Sequence, residues 1–187
     1  NRVMKHLEVK LGGFGGQGII LAGYILGKAA SIYDKNNATL TQSYGPESRG
    51  GACSAQVIIS DEEVDFPEVL QPDILALMSK EAYDKFTSDV SSTGIILYDD
   101  DLVENNQTFP NSLKCYSIPA TRFAEDLGKK IIANVIMLGF LVAITGIVHK
   151  ESMEKAIKSS IPKGTEEMNL AAFNRGYDYG IQKLKNK

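Results

Sequence analysis

The sequence predicts an α/β fold: one three-layer α/β/α domain over residues 1–187, with a mixed, mostly parallel sheet and a helical C-terminal part. Three observations carry this. Residues 12–18 read Gly-Gly-Phe-Gly-Gly-Gln-Gly between an alternating apolar run and a helical one, the strand–turn–helix setting of a Rossmann-like first βα unit. Strand-like and helix-like runs then alternate as far as Ile118. Beyond Pro119 the pattern is helical throughout.

The first strand is assigned to His6–Leu11, where apolar and polar residues alternate, and the first helix to the run Gln17–Tyr33. Asp34-Lys35-Asn36-Asn37 is a turn, and Ala38–Ser43 is the second strand. The loop Tyr44-Gly45-Pro46-Glu47-Ser48-Arg49-Gly50-Gly51 precedes a third strand at 52–60. It is too short for a parallel crossover, which takes a dozen or more residues, so these two strands run antiparallel if they are neighbours. Residues 61–72 are acidic, contain Pro67 and Pro72, and form a connection. A buried strand over Asp73–Met78, a helix over 80–89, a strand over Gly94–Tyr98 and a short strand over Lys114–Ile118 follow. Helices are assigned to 121–127, 130–147, 150–160 and 166–184, with a break at Pro162-Lys163-Gly164.

Two loops carry the candidate chemistry. Gly13, Gly15 and Gly18 satisfy G-x-G-x-x-G, which lets the backbone approach an anion while the next helix points its free N–H groups and positive dipole end at it. A nicotinamide dinucleotide site also needs an acid at the end of the second strand, ~20 residues on, for the ribose hydroxyls. Here that end reads Thr41-Gln42-Ser43, and Asp34 lies in the preceding turn. This argues against an NAD site. Glycines serving helix–strand packing alone remain an alternative. The second loop holds Tyr44, Glu47 and Arg49 among three glycines, a mixture that suits ligand or partner contact as well as an ordinary turn with a solvated ion pair.

Composition narrows the function classes. A net charge of −3 and no basic cluster exclude a nucleic-acid partner. The two cysteines, Cys53 and Cys115, supply neither a disulfide framework nor four thiolates for an iron–sulfur cluster, and a reducing cytoplasm fits. His6 is placed on a strand and His149 at a helix end, so no metal site is assigned. Asp99-Asp100-Asp101 after a strand is taken as a solvated turn. The charged start runs straight into the first strand, so no signal peptide is expected. The uncharged run Ile131–Val148 is near the lower length limit for a membrane span, but Asn134, Thr145, Gly139 and Gly146 make it a core or subunit-contact helix. There is no G-x-S-x-G, no P-loop and no Cys–His pairing at a motif spacing, so no catalytic residue is assigned.

Residues 12–23 (Gly-Gly-Phe-Gly-Gly-Gln-Gly-Ile-Ile-Leu-Ala-Gly), 42–51 (Gln-Ser-Tyr-Gly-Pro-Glu-Ser-Arg-Gly-Gly) and 57–61 (Val-Ile-Ile-Ser-Asp) together resemble the gamma subunit of 2-oxoacid:ferredoxin oxidoreductases. Pro72–Leu77, Ala133–Gly139 and Asn169–Gly176 look like the same family, so the resemblance covers nearly the whole chain. Leu21–Ala30 and Ser43–Gly51 look closest to the 2-oxoglutarate branch; the pyruvate, branched-chain oxoacid and indolepyruvate branches are the alternatives. The resemblance implies an accessory subunit, inactive alone, of an enzyme that oxidatively decarboxylates 2-oxoglutarate to succinyl-CoA and passes electrons to ferredoxin. Thiamine diphosphate, magnesium and 4Fe–4S clusters then lie in partner subunits of alpha, beta and delta type. Coenzyme A is the co-substrate this chain contacts, and the isolated chain forms a homodimer or joins its partners. On that reading Gly13, Phe14, Gly15, Gly16, Gln17 and Gly18 cradle phosphate, Arg49 pairs with its charge, and Tyr44 touches ligand or partner. A stand-alone NAD- or flavin-binding protein and a pure interaction module are the competing classes.

Overall fold

Strand alternation sorts side chains onto two faces, and the sheet that results in the computed structural model has six strands in the order β2-β3-β1-β4-β5-β6. The structure describes residues 6–44, 51–64, 71–104, 109–110 and 113–187. The strands are β1 (His6–Phe14), β2 (Asn37–Tyr44), β3 (Ala52–Ser60), β4 (Ile74–Leu77), β5 (Ile95–Asp99) and β6 (Lys114–Ile118). β1, β4, β5 and β6 are parallel, and β3 is antiparallel to both of its neighbours, β1 and β2. The mixed sheet expected from the short loop after Ser43 is therefore present. β3 lies between β1 and β2, which loop length alone does not specify.

The helices are α1 (Ile19–Lys28), α2 (Lys80–Phe86), α3 (Ala120–Asp126), α4 (Ala133–Thr145), α5 (Lys150–Ser160) and α6 (Glu166–Lys185). Most predicted elements shift by a residue or more at one end or both; the predicted helix over 80–89 ends at Phe86 and that over 130–147 runs only from Ala133 to Thr145, and two further differences lie at the first glycine loop and the helix after it. β1 continues to Phe14, because β3 keeps pairing with it through Gly12↔Ser54, Gly13↔Cys53 and Phe14↔Ala52. The predicted helix 17–33 begins at Ile19 and its last turn, Ala29–Tyr33, widens into a π-helix.

Alternation along β4 shows how the layers form. Ile74 and Ala76 face one core with Val9, Leu11 and Leu97, under α1 and α3–α6. Leu75 and Leu77 face the other, with Ala82 and Phe86 of α2. The thick layer is built around α4, in which every residue from Ala133 to Ala143 is buried. Its backbone meets that of α6 directly. A Cβ on Gly139 would lie 2.0 Å from the Phe173 oxygen, and one on Gly176 1.9 Å from the Ile136 oxygen. Gly146 (φ 62°) ends α4 in the left-handed region, so the apolar run 131–148 yields only a 13-residue helix. No described helix is long and apolar enough to cross a membrane.

Candidate functional site

Consecutive parallel strands here send their helices to opposite faces: α1 after β1 lies on the thick layer and α2 after β4 on the other. That reversal opens a crevice at the carboxyl ends of β1 and β4, the usual ligand position in an open α/β sheet. A cleft of about 400 Å³ occupies it. Phe14, Gly16 and Gln17 line it after β1, Met78 after β4, Leu102 beyond β5, Thr121 at the start of α3, and Lys130, Ile131 and Ala133 where α4 begins. The first glycine loop is thus one wall of the cleft.

The glycines of that loop serve different purposes. Gly16 (φ 91°) and Gly18 (φ 74°) are left-handed, a conformation that disfavours side chains. Gly13 makes room for its own chain: a Cβ there would come within 2.3 Å of the Gln17 Oε1 and 2.7 Å of the Ile19 side chain. Gly15 has neither reason, since a Cβ would meet none of the described residues within 4 Å and its φ is not positive. Gln17 holds the loop together. Its Oε1 accepts from the Phe14 N–H (2.9 Å) and its Nε2 donates to the Met78 oxygen (2.8 Å), closing β1 against β4. Both ends of its amide are engaged by backbone.

Asn134 belongs to the site although the sequence reading placed it only on an apolar helix. Its Nδ2 donates to the Gly18 oxygen (3.1 Å) and its Oδ1 accepts from the Val135 N–H (2.8 Å), so one buried amide joins the glycine loop to the start of α4. Asparagine in an uncharged helix was the available signal; its partner lies 116 residues away.

The helix ends around the cleft differ. Ser79 caps α2 by accepting from the Ala82 N–H (3.1 Å). Carboxylates cap α3: Asp99 accepts from the Thr121 N–H (3.0 Å) and hydroxyl (2.6 Å), and Asp101 from the Arg122 N–H (2.9 Å). Among the described residues no side chain accepts from the first turn of α1, and that turn contains no acid. Its free N–H groups and dipole end open beside the cleft.

The acidic triplet departs from the solvated turn expected for it. Asp99 is fully buried, and burial pushes its pKa up to about 6 against the hydrogen bonds it accepts. Asp101 also holds the Arg122 guanidinium at 2.7 Å. One carboxylate oxygen from each of Asp99, Asp100 and Asp101 lies within 4.8 Å of the others, but both oxygens of Asp99 and both of Asp101 are engaged by N–H and O–H donors, so the cluster anchors a helix terminus.

Asp34 is similarly committed. It accepts from the His149 N–H (3.0 Å) and the Ser152 hydroxyl and faces the His149 Nδ1 (2.9 Å), at the start of α5. That contact raises the His149 pKa. Burial raises the pKa of both Cys53 and Cys115, keeping these thiols protonated. The backbone of Tyr44 ends β2 opposite Cys53, which is opposite Gly13 in turn, so the two glycine-rich loops leave the same sheet edge two strands (about 10 Å) apart. Arg49 and the side chain of Tyr44 lie outside the described residues.

Comparison with known proteins agrees with this geometry. Residues 8–179 match the pyruvate ferredoxin/flavodoxin oxidoreductase family. The chain is 54% identical over 178 residues to the 2-oxoglutarate synthase subunit KorC of Methanocaldococcus jannaschii, covering 95% of each. The crystal structure of a keto/oxoacid ferredoxin oxidoreductase gamma subunit from Geobacter sulfurreducens superposes with a TM-score of 0.84 at 41% identity, covering 94% of this chain and 99% of that one. The same fold, with a TM-score of 0.83 at 21% identity, forms 31% of a chain of the Magnetococcus marinus 2-oxoglutarate:ferredoxin oxidoreductase, solved with 2-oxoglutarate, coenzyme A and succinyl-CoA bound. Matched over most of its length in sequence and in fold, this chain belongs to the pyruvate ferredoxin/flavodoxin oxidoreductase family.

Proposed function

We propose that this chain, acting as one domain, is the gamma-type subunit of a cytoplasmic 2-oxoglutarate:ferredoxin oxidoreductase and holds the phosphates of coenzyme A at the Gly13–Gly18 loop. The observation that carries the reading is Gly15. The fold accounts for Gly13, Gly16 and Gly18, but no described residue requires position 15 to lack a side chain. A loop backbone left bare beside the unsatisfied first turn of α1 suits the close approach of a phosphate. The identity to 2-oxoglutarate synthase subunits supports this branch.

On this reading the chain binds and orients. Gly15, Gly16 and the first N–H groups of α1 receive the phosphates, Gln17 and Asn134 fix the loop without touching the ligand, and Arg49 adds charge from the second loop. Phe14 and Ile131, both lining the cleft and 40% and 51% exposed, cover the ligand and dock against the subunits that supply thiamine diphosphate, magnesium and the 4Fe–4S clusters. When bound elsewhere in the assembly, thiamine diphosphate supplies the decarboxylation; this chain delivers the acceptor thiol.

The same two exposed side chains favour a second reading, in which the loops serve assembly alone. Reconstitution separates the two. The full chain assayed with 2-oxoglutarate, coenzyme A, thiamine diphosphate and a viologen acceptor is inactive until the companion subunits are added. Coenzyme A then titrates the complex but not the companion subunits alone. Turnover by this chain by itself would refute the accessory role; equal coenzyme A binding with and without it would leave the assembly reading.

A further inference from the structure

We propose that Lys130 is the ligand-phosphate cation of the cleft and that Glu125 holds it in reserve until a ligand arrives. The inference rests on the phosphate-binding reading of the cleft and identifies a residue outside both glycine loops. Of the described residues that line the cleft, Lys130 alone carries a charge. It sits where α4 begins, on the wall formed with Ile131 and Ala133, while Gly16 and Gln17 line the glycine-loop wall. The nearby Arg122 is already held by Asp101 at 2.7 Å.

The backbone carrying Lys130 is fixed. Gly128 (φ 107°) reverses the chain after α3, the Gly128 N–H donates to the Glu125 oxygen (2.9 Å) and the Lys129 N–H to the Ala124 oxygen (3.1 Å). The head group is not fixed in the same way. Its one ion pair among the described residues, to the Glu125 carboxylate at 3.2 Å, joins two exposed side chains and is screened by water. A phosphate entering between Lys130 and the bare first turn of α1 carries more charge than one carboxylate and makes charge-assisted hydrogen bonds to both. Lys130 then exchanges Glu125 for the ligand, and Glu125 competes with the ligand for it.

Binding of coenzyme A, pantetheine and inorganic pyrophosphate to the full chain and to the assembled enzyme, by calorimetry and NMR titration, tests this. Lys130→Gln weakens coenzyme A and pyrophosphate about tenfold, Glu125→Gln tightens both about two- to fivefold, and Lys130→Arg retains binding. Pantetheine, which carries no phosphate, binds all variants alike. Unchanged phosphate binding by Lys130→Gln, or an equal loss for pantetheine, overturns the proposal. Lys130-dependent pyrophosphate binding without coenzyme A binding sinks the coenzyme A reading and leaves this one standing. If neither phosphate-bearing probe binds, both fall.

Discussion

Gly15→Val separates ligand binding from folding at one residue. An added Cβ meets no heavy atom of the described residues within 4 Å, and the backbone is outside the left-handed region. The substitution therefore shifts folding stability by no more than about 0.5 kcal/mol. For a chain of this length that is roughly 2 °C in Tm. A bound phosphate meets a different surface. The valine methyls occupy the space through which the backbone reaches the anion, and losing one charge-assisted hydrogen bond costs about 1.5–3 kcal/mol. That weakens coenzyme A by about 10- to 150-fold. Gly13→Val is the contrast: its Cβ would lie 2.3 Å from the Gln17 Oε1 and 2.7 Å from Ile19, so it destabilises the fold by about 1–3 kcal/mol. Thermal melts of the chain, with the KM for coenzyme A and for 2-oxoglutarate in the assembled enzyme, are the assay. Gly15→Val raises only the coenzyme A constant. A wild-type coenzyme A constant for Gly15→Val would refute the bare-loop argument, and a large loss of stability would refute its structural premise.

Other consequences follow from the same contacts. Gly176→Ala drives a methyl against the Ile136 carbonyl, which cannot rotate away, and lowers stability by about 1–3 kcal/mol in a denaturant titration despite alanine's higher helix propensity. Asp99 retains its proton in the folded state up to about pH 6 but loses it near 3.8 when unfolded. The folded state therefore binds more protons between those values, and stability falls as pH rises through that window, by about 3 kcal/mol in all from below pH 3 to above pH 7 and by about 2 kcal/mol between pH 4 and 6. Unfolding curves across that range show this slope in the wild type and lose it in Asp99→Asn. NAD(H) and NADP(H) show no saturable calorimetric binding below millimolar concentration, because Thr41-Gln42-Ser43 offers the ribose no carboxylate and Asp34 is occupied at α5; micromolar binding would restore the dehydrogenase alternative.

The sequence by itself determined most of the elements and the position of the first glycine loop. Period-2 and helical runs are local, so β6 and α5 fall on their predicted bounds and α6 within one residue of its predicted end. Loop length is local too, and eight residues between the second and third predicted strands sufficed for an antiparallel pair in a mixed sheet. The glycine spacing placed a tight-turning loop at the end of β1.

Only the tertiary structure decided what each of those residues does. Gln17 is a staple because Met78 lies across the crevice, Asn134 a tie because Gly18 abuts α4, and Asp99 a buried cap because β6 leads α3 over it. The apolar run 131–148 yields a 13-residue helix packed against α6, where Gly139 and Gly176 let the two backbones touch. Each such contact joins residues 22 to 116 positions apart. Short-range propensity and periodicity describe the chain's neighbours along the sequence. Hydrogen bonding and close packing at a sheet's edge depend on which distant neighbours folding brings there.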